Sequence, residues 1–281
     1  MKSYKSLVFP YLTWMTIFVM LPMLLITLYA FTQSGNAVIS LEFTFANFKK
    51  FLDPVFLKVL YNSLKIAAIT TVICLIIGYP LAYIISKQTD RMQTLLILLV
   101  TIPMWINMMV RTYAWISILS DVGIINNFLG IFGLGPVKMM YTDFAVIVGM
   151  VYNFLPFMII QIYTVLAKMD HSIIDASYDL GANRFETFTK VIFPLSLSGV
   201  ISGITLVFLP AISTFVIPQF LGGGSYVLIG NLIETQFISV GDYHFGSAIS
   251  LILALLMMLS LHFANKFEER ESSINKKRRI A

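Results

Sequence analysis

The run Asp175-Ala176-Ser177, then three residues, Gly181, nine residues and Val191-Ile192-Phe193-Pro194 is the most specific spacing in the chain. It contains no nucleophile–base pair, and its chemistry is that of a docking surface. Asp170 or Ser172 can cap a helix, and Gly181 can end it because glycine takes left-handed backbone angles at little cost. The side chains able to handle a solute are few and lie in apolar runs: Trp105, Asn107 and Tyr113 around Pro103, Tyr152 and Asn153 before Pro156, and Thr214 and Phe215 after Pro210. Glu234 is the best single carboxylate. Carboxylates, aromatic faces and carbonyl oxygens freed near prolines could hold a cationic solute. Arg111 would repel such an ion. It is expected to make a structural or gating pair, with Asp121 or Asp143. Enzyme chemistry finds little support, since His171, His244 and His262 are scattered without metal-ligand spacing and Cys74 is the only cysteine.

These groups must be positioned by membrane-spanning helices. The 281 residues are 58% hydrophobic and 12% charged, with a mean hydropathy of +0.85. That composition excludes a soluble enzyme, a disulfide scaffold and a disordered chain, because too few charges remain to cover a water-soluble surface. Six stretches reach the roughly 20 apolar residues a span needs. They are about Leu7–Phe31, Val59–Ile85, Leu95–Leu119, Ala145–Leu166, Leu195–Leu221 and Ser247–Ala264. The first is too long for a secretory signal and has no small-residue cleavage site. Each segment must satisfy its own backbone hydrogen bonds in lipid, so the expectation is an all-α protein with six transmembrane helices, and a β-barrel is excluded. The whole of 1–281 reads as a single transmembrane domain, with a core unit at about 59–266.

Lysine and arginine set the orientation. Thirteen lie in the two tails and the second and fourth loops, including Lys2, Lys5, Lys276-Lys277-Arg278-Arg279, Lys168, Arg184 and Lys190; four (Lys49, Lys50, Lys58, Lys138) lie opposite. Both termini are therefore expected in the cytoplasm. The basic tail fits anionic lipid better than nucleic acid. The outer side carries Glu42, Asp53, Asp121, Asp143, Glu234 and Asp242.

The fourth loop is then cytoplasmic. Its first helix is expected over Met169–Gly181, with Ile173, Ala176, Ser177 and Leu180 at helical spacing. A second short helix, Ala182 to Lys190, would carry Phe185, Phe188 and Thr189 on one side and stop at Pro194. Such a face suits the close approach of another protein, or an interfacial segment lying on lipid.

The spacing resembles the EAA loop of type I ABC importer permeases, whose pattern is Glu-Ala-Ala, three residues, Gly, nine residues, Ile, one residue, Leu-Pro. Here Asp175, Ser177, Val191 and Phe193 are mild departures, while Gly181 and Pro194 keep their places. Gly78-Tyr79-Pro80-Leu81-Ala82-Tyr83, Ile102-Pro103-Met104-Trp105-Ile106-Asn107 to Arg111-Thr112-Tyr113, and Leu221-Gly222-Gly223 with Ile229-Gly230-Asn231 extend the likeness. They are similar to the B-type permeases of spermidine/putrescine importers.

The resemblance implies a bacterial inner-membrane subunit that forms half of a polyamine path. Its partners would be a sister permease, an extracytoplasmic polyamine-binding protein and an ATPase dimer docking on Asp175, Ala176, Ser177, Gly181 and Pro194. It implies that ATP and Mg are bound by that ATPase and that this chain binds no cofactor or metal. The sequence agrees in lacking a Gly-x-x-x-x-Gly-Lys-Ser/Thr loop; Gly222-Gly223-Gly224-Ser225 has no lysine. The other readings are an ion-gradient secondary transporter and an ABC permease for a different small cationic solute.

Overall fold

The computed structural model describes residues 3–33, 42–224 and 226–280, with side chains for 8–33, 42–224 and 226–266. The basic side chains of Lys2, Lys5 and Lys276-Lys277-Arg278-Arg279, and all of Ser225, fall outside that description. Among the described residues the regular structure is helical, apart from one isolated bridge, Thr32 to Phe43.

The first span is α1 (Ser3–Met15) and α2 (Leu21–Ala30) joined by a π-helical turn; α3 (Ala46–Phe51) precedes the long α4 (Pro54–Ser86). Next come α5 (Asp90–Trp105), α6 (Met108–Leu119), α7 (Ile124–Ile131) and α8 (Asp143–Leu166). The remainder comprises α9 (His171–Asp179), α10 (Arg184–Thr187), α11 (Phe193–Ser213), α12 (Val216–Leu221), α13 (Ile229–Glu234) and α14 (Tyr243–Ile280).

Among the described residues six helical stretches are long and apolar enough to cross a membrane, the number expected, and all overlap the expected positions. The third differs. The stretch that meets the length there is Met108–Ile131, because the expected run 95–119 is interrupted between α5 and α6. Contacts nevertheless lay both halves along α8. Tyr163 donates to Gln93 on α5 at 2.9 Å, and the Tyr152 ring lies 5.5 Å from Trp115 on α6.

The centre of the bundle is α4, α8 and α11. Lipid tails give helices no hydrophobic reason to associate, so close packing over small residues must hold them together. A Cβ on Gly199 would lie 2.9 Å from the Gln161 carbonyl and 3.1 Å from Ile162 Cα, so α11 meets α8 almost backbone to backbone. Cys74 and Ala82 of α4, Met150 and Met158 of α8, and Val207 and Ala211 of α11 are fully buried. The first span, by contrast, is apolar and exposed over most of its length.

Its far end is fastened to α14. His244 Nδ1 lies 3.1 Å from both Thr32 Oγ1 and the Tyr29 carbonyl. Lys50 pairs with Asp242 at 3.0 Å and sits 4.1 Å above the Phe245 ring. His244 is therefore a buried structural residue. The first and last spans run antiparallel, so both begin or finish at the end of the bundle that carries the α9–α10 loop.

Candidate functional site

The two-helix loop forms as its caps dictate. The Asp170 carboxylate accepts from Ser172 N–H at 2.9 Å, starting α9. Gly181, at φ +85°, turns the chain after it, with Ala182 N–H reaching the Ser177 carbonyl at 3.1 Å. Asn183 and Glu186 cap each other at the start of α10. The small face expected on α9 is divided: Ser177 turns inward to Thr187 Oγ1 at 2.9 Å, while Asp175, Ala176 and Leu180 are exposed with Phe185. Phe185 and Phe188 do not share a side, since Phe188 packs on Tyr79 and Tyr83.

Pro194 does not stop the second helix. A π-helical turn, Phe188–Ile192, carries α10 directly into α11, with Pro194 in the first turn of α11. Proline lacks an N–H and clashes with the carbonyl four residues back. The wider turn, bonded from Phe193 N–H to the Phe188 carbonyl, accommodates it without a break.

Two spans are interrupted, one where Trp105, Ile106 and Asn107 are exposed and one at the buried Thr214. Between α5 and α6, Ile106 and Asn107 are extended, and the Asn107 side chain caps α6 by accepting from Met109 N–H at 2.8 Å. Between α11 and α12, Thr214 is extended at φ −66° and ψ 142°. Interrupted backbone at membrane depth is tolerated only where it is buried in protein or lines a water-filled path. The half-helices beyond the breaks, α6 and α12, pack together, with the Tyr113 ring 5.1 Å from Phe220.

Contacts along α8 fix the level of the second break. Gly203 faces Met158, and Gly149 faces Ile217 and Leu221, so Thr214 falls between them, level with Tyr152 and Asn153. Asn153 Oδ1 and Thr214 Oγ1 are buried and have no hydrogen-bond partner among the described residues. Phe215 and Tyr152 remain partly open, at 38% and 36% exposure. Tyr152, Asn153, Thr214 and Phe215 thus stand at one level of the bundle, while Tyr113 packs on Phe220. Trp105 and Asn107 belong to the other break, Trp105 ending α5 and Asn107 capping α6.

The segment before α14 is not confined to the bundle's end, as its sequence suggested. Tyr226, Val227 and Leu228 descend along α4, sharing a cleft of about 430 Å³ with Val55, Lys58, Val59 and Asn62. Burial, then the Asp143 carboxylate beside it, holds the Tyr226 phenol above its ordinary pKa. Ile229 N–H then donates to Ser63 Oγ at 2.7 Å, and Asn231 Nδ2 to the Phe215 carbonyl at 2.8 Å. A Cβ on Gly230 would lie 2.4 Å and 2.7 Å from the Ser213 and Thr214 carbonyls. Glu234 therefore stands about one helical turn from the second break, half-buried, and no cation pairs with it among the described residues. Sequence reasoning missed Ser63 and the role of Gly230-Asn231; a serine in an apolar span and a Gly-Asn pair were the available signals.

Arg111 makes neither expected pair. Its Nε and Nη1 are buried without hydrogen-bond partners among the described residues, and Tyr152 is its electrostatic neighbour. Asp121 instead lines a separate cleft with Lys138 and Tyr141, while Asp143 lies by Tyr226. α6 turns the Arg111 head toward α8, and Asp121 follows ten residues later, beyond the end of that helix.

The result is a helical membrane bundle interrupted at Ile106–Asn107 and at Thr214, the second break lying at the level of the middle of α8. The chain belongs to the family described as the binding-protein-dependent transport system inner membrane component, whose model matches residues 75–270. It is thus a multi-pass inner-membrane transporter component. The spermidine/putrescine transport system permease protein PotB of Escherichia coli (strain K12) is 39% identical over 251 residues, covering 88% of this chain and 91% of that protein. The protein of the same name from Haemophilus influenzae is 38% identical over 265 residues, covering 92% and 93%. A solved bacterial ABC transporter involved in the import of the acidic polysaccharide alginate superposes with a TM-score of 0.79 at 17% identity, covering 95% of both chains. The MetNI methionine ABC transporter gives 0.56 at 16% identity, over 78% of this chain and 98% of that one. At these identities the two structures speak for the fold.

Proposed function

We propose that this chain is one of two permease subunits in an ATP-driven importer of polyamines in a bacterial inner membrane. Likeness to spermidine/putrescine permeases over most of both chains supports the solute class. The observation that carries the mechanism is the second break, where Thr214 Oγ1 and, at its level on α8, Asn153 Oδ1 lie buried without a partner among the described residues, with Glu234 about a turn beyond Gly230. A hydroxyl, an amide oxygen and a carboxylate are acceptors for ammonium N–H groups, and Phe215 adds an aromatic face for cation–π contact. Arg111, whose head lies beside Tyr152, repels an ammonium from the flank between α6 and α8 and leaves it the side of the break lined by Thr214, Phe215 and Glu234.

The thirteen-to-four bias of basic residues supports a cytoplasmic loop and cytoplasmic termini. Asp175, Ala176 and Leu180 then face the cytoplasm as the docking face for an ATPase dimer, with Ser177, Gly181 and Pro194 shaping it from behind. That ATPase binds ATP and Mg. An extracytoplasmic binding protein delivers the polyamine at the opposite end, and a sister permease completes the path.

The test is ATP hydrolysis by the chain purified with its partners, with binding protein empty or loaded with spermidine. Hydrolysis rising only with the loaded protein is expected. Glu234→Gln should then lower uptake about ten- to hundredfold, since a hydrogen bond to a charged group is worth about 1.5–3 kcal/mol. A response to the binding protein but to no polyamine would remove the solute and keep the permease. Failure of any ATPase to co-purify would favour transport driven by an ion gradient.

A further inference from the structure

The side chains of Thr214 and Phe215 can serve a solute only if the broken backbone holds them still, and span 5 alone does not do this. A helix end leaves several carbonyls without intrahelical partners. The Phe215 carbonyl receives Gln219 N–H at 3.1 Å from its own half-helix and Asn231 Nδ2 at 2.8 Å from α13. Asn231 is 7% exposed, and its Oδ1 accepts from Leu228 N–H at 3.4 Å, so both ends of its amide are engaged. The start of α13 is fixed in turn by Ser63, fully buried, which accepts from Ile229 N–H and donates to the Val59 carbonyl at 2.8 Å. Gly230 brings α13 against the Ser213 and Thr214 carbonyls at a distance no larger residue permits. The second span, the break and the folded-back helix thus meet at one point.

We infer that Asn231, seated by Ser63 and Gly230, is the positioning residue of the span-5 break and holds the Phe215 peptide so that Thr214 and Phe215 face the path. This rests on the break being the solute path. Asn231 reaches the solute only through the peptide it holds. It therefore governs how well transport is coupled to ATP hydrolysis, and leaves hydrolysis itself intact.

The experiment uses the complete complex in proteoliposomes, comparing the parent with Asn231→Leu and Ser63→Ala. Asn231→Leu should assemble at parental amounts and hydrolyse ATP within about twofold of the parent, while spermidine moved per ATP falls at least tenfold. Ser63→Ala should follow in the same direction. Transport and hydrolysis falling together, in proportion to the complex recovered, would reduce Asn231 to a folding role; an unchanged ratio would overturn the proposal outright. Should Asn231→Leu fail to assemble, Asn231→Asp, of the same size but setting a carboxylate oxygen where Nδ2 donates, decides by the same ratio. A second readout does not depend on the solute. With Cys74→Ala in place, labelling of Thr214→Cys by a water-soluble methanethiosulfonate should change at least tenfold when Asn231→Leu is added. Equal labelling rates would sink the positioning role even if polyamine uptake stands. Altered labelling in a parent that moves no polyamine would keep that role and discard the solute.

Discussion

Replacing Gly181 by alanine isolates one quantity, the cost of a left-handed backbone. Gly181 stands at φ +85°, and a Cβ there would meet nothing within 4 Å. The substitution therefore adds no clash, and its penalty is the roughly 1–2 kcal/mol an L-residue incurs in that conformation. At 0.59 kcal/mol per RT, this lowers the population of the closed turn about 5- to 30-fold relative to any alternative. The turn rests on Gly181 N–H to Tyr178 at 2.9 Å and Ala182 N–H to Ser177 at 3.1 Å, which together set the angle between α9 and α10. Asparagine tolerates the same angles, whereas proline fixes φ near −65° and deletes the first of those bonds. ATP hydrolysis by the intact complex with loaded binding protein should be near parental for Gly181→Asn. It should fall several-fold for Gly181→Ala and be lost for Gly181→Pro, with all three inserted in the membrane. Equal activity of the alanine and asparagine variants, whether high or low, would refute the argument, because the left-handed φ would then not decide the outcome.

Ala176→Trp should leave the melting temperature of the isolated subunit unchanged, because Ala176 is exposed, and should abolish binding-protein-stimulated hydrolysis; normal hydrolysis would remove α9 from the docking face. Gly199→Ala should destabilise the subunit by about 1–3 kcal/mol, the usual cost of overpacking a close contact, since the added Cβ meets backbone atoms of α8. Gly130→Ala, with open space around its Cβ, should be neutral or slightly stabilising, and thermal melts of the pair would expose any error if the two behaved alike.

The number of spans, the cap at Asp170 and the turn at Gly181 were legible because each depends on local chemistry: apolar length, a side-chain acceptor, a residue without Cβ. Pro194 misled, because its rule assumes an α-helical turn, and the π-helical turn before it lies outside that rule. Trp105, Asn107 and Tyr113 looked like one cluster around Pro103. The break at Ile106–Asn107 divides them, leaving Tyr113 with Phe220 on the half-helices. Arg111 was paired on paper with carboxylates that belong to other parts of the bundle.

Apolar run length and basic-residue bias by themselves determined a six-span helical membrane protein with a capped loop between the fourth and fifth spans, because lipid forces every segment to satisfy its own backbone. Tertiary structure alone decided where two of those spans open and what stands beside the opening. Ser63 meets Ile229 across 166 residues and Asn231 meets Phe215 across 16, and no local propensity encodes such pairings. They arise because an interrupted helix leaves peptide groups that lipid cannot satisfy, and only a segment folded back into the bundle can reach them.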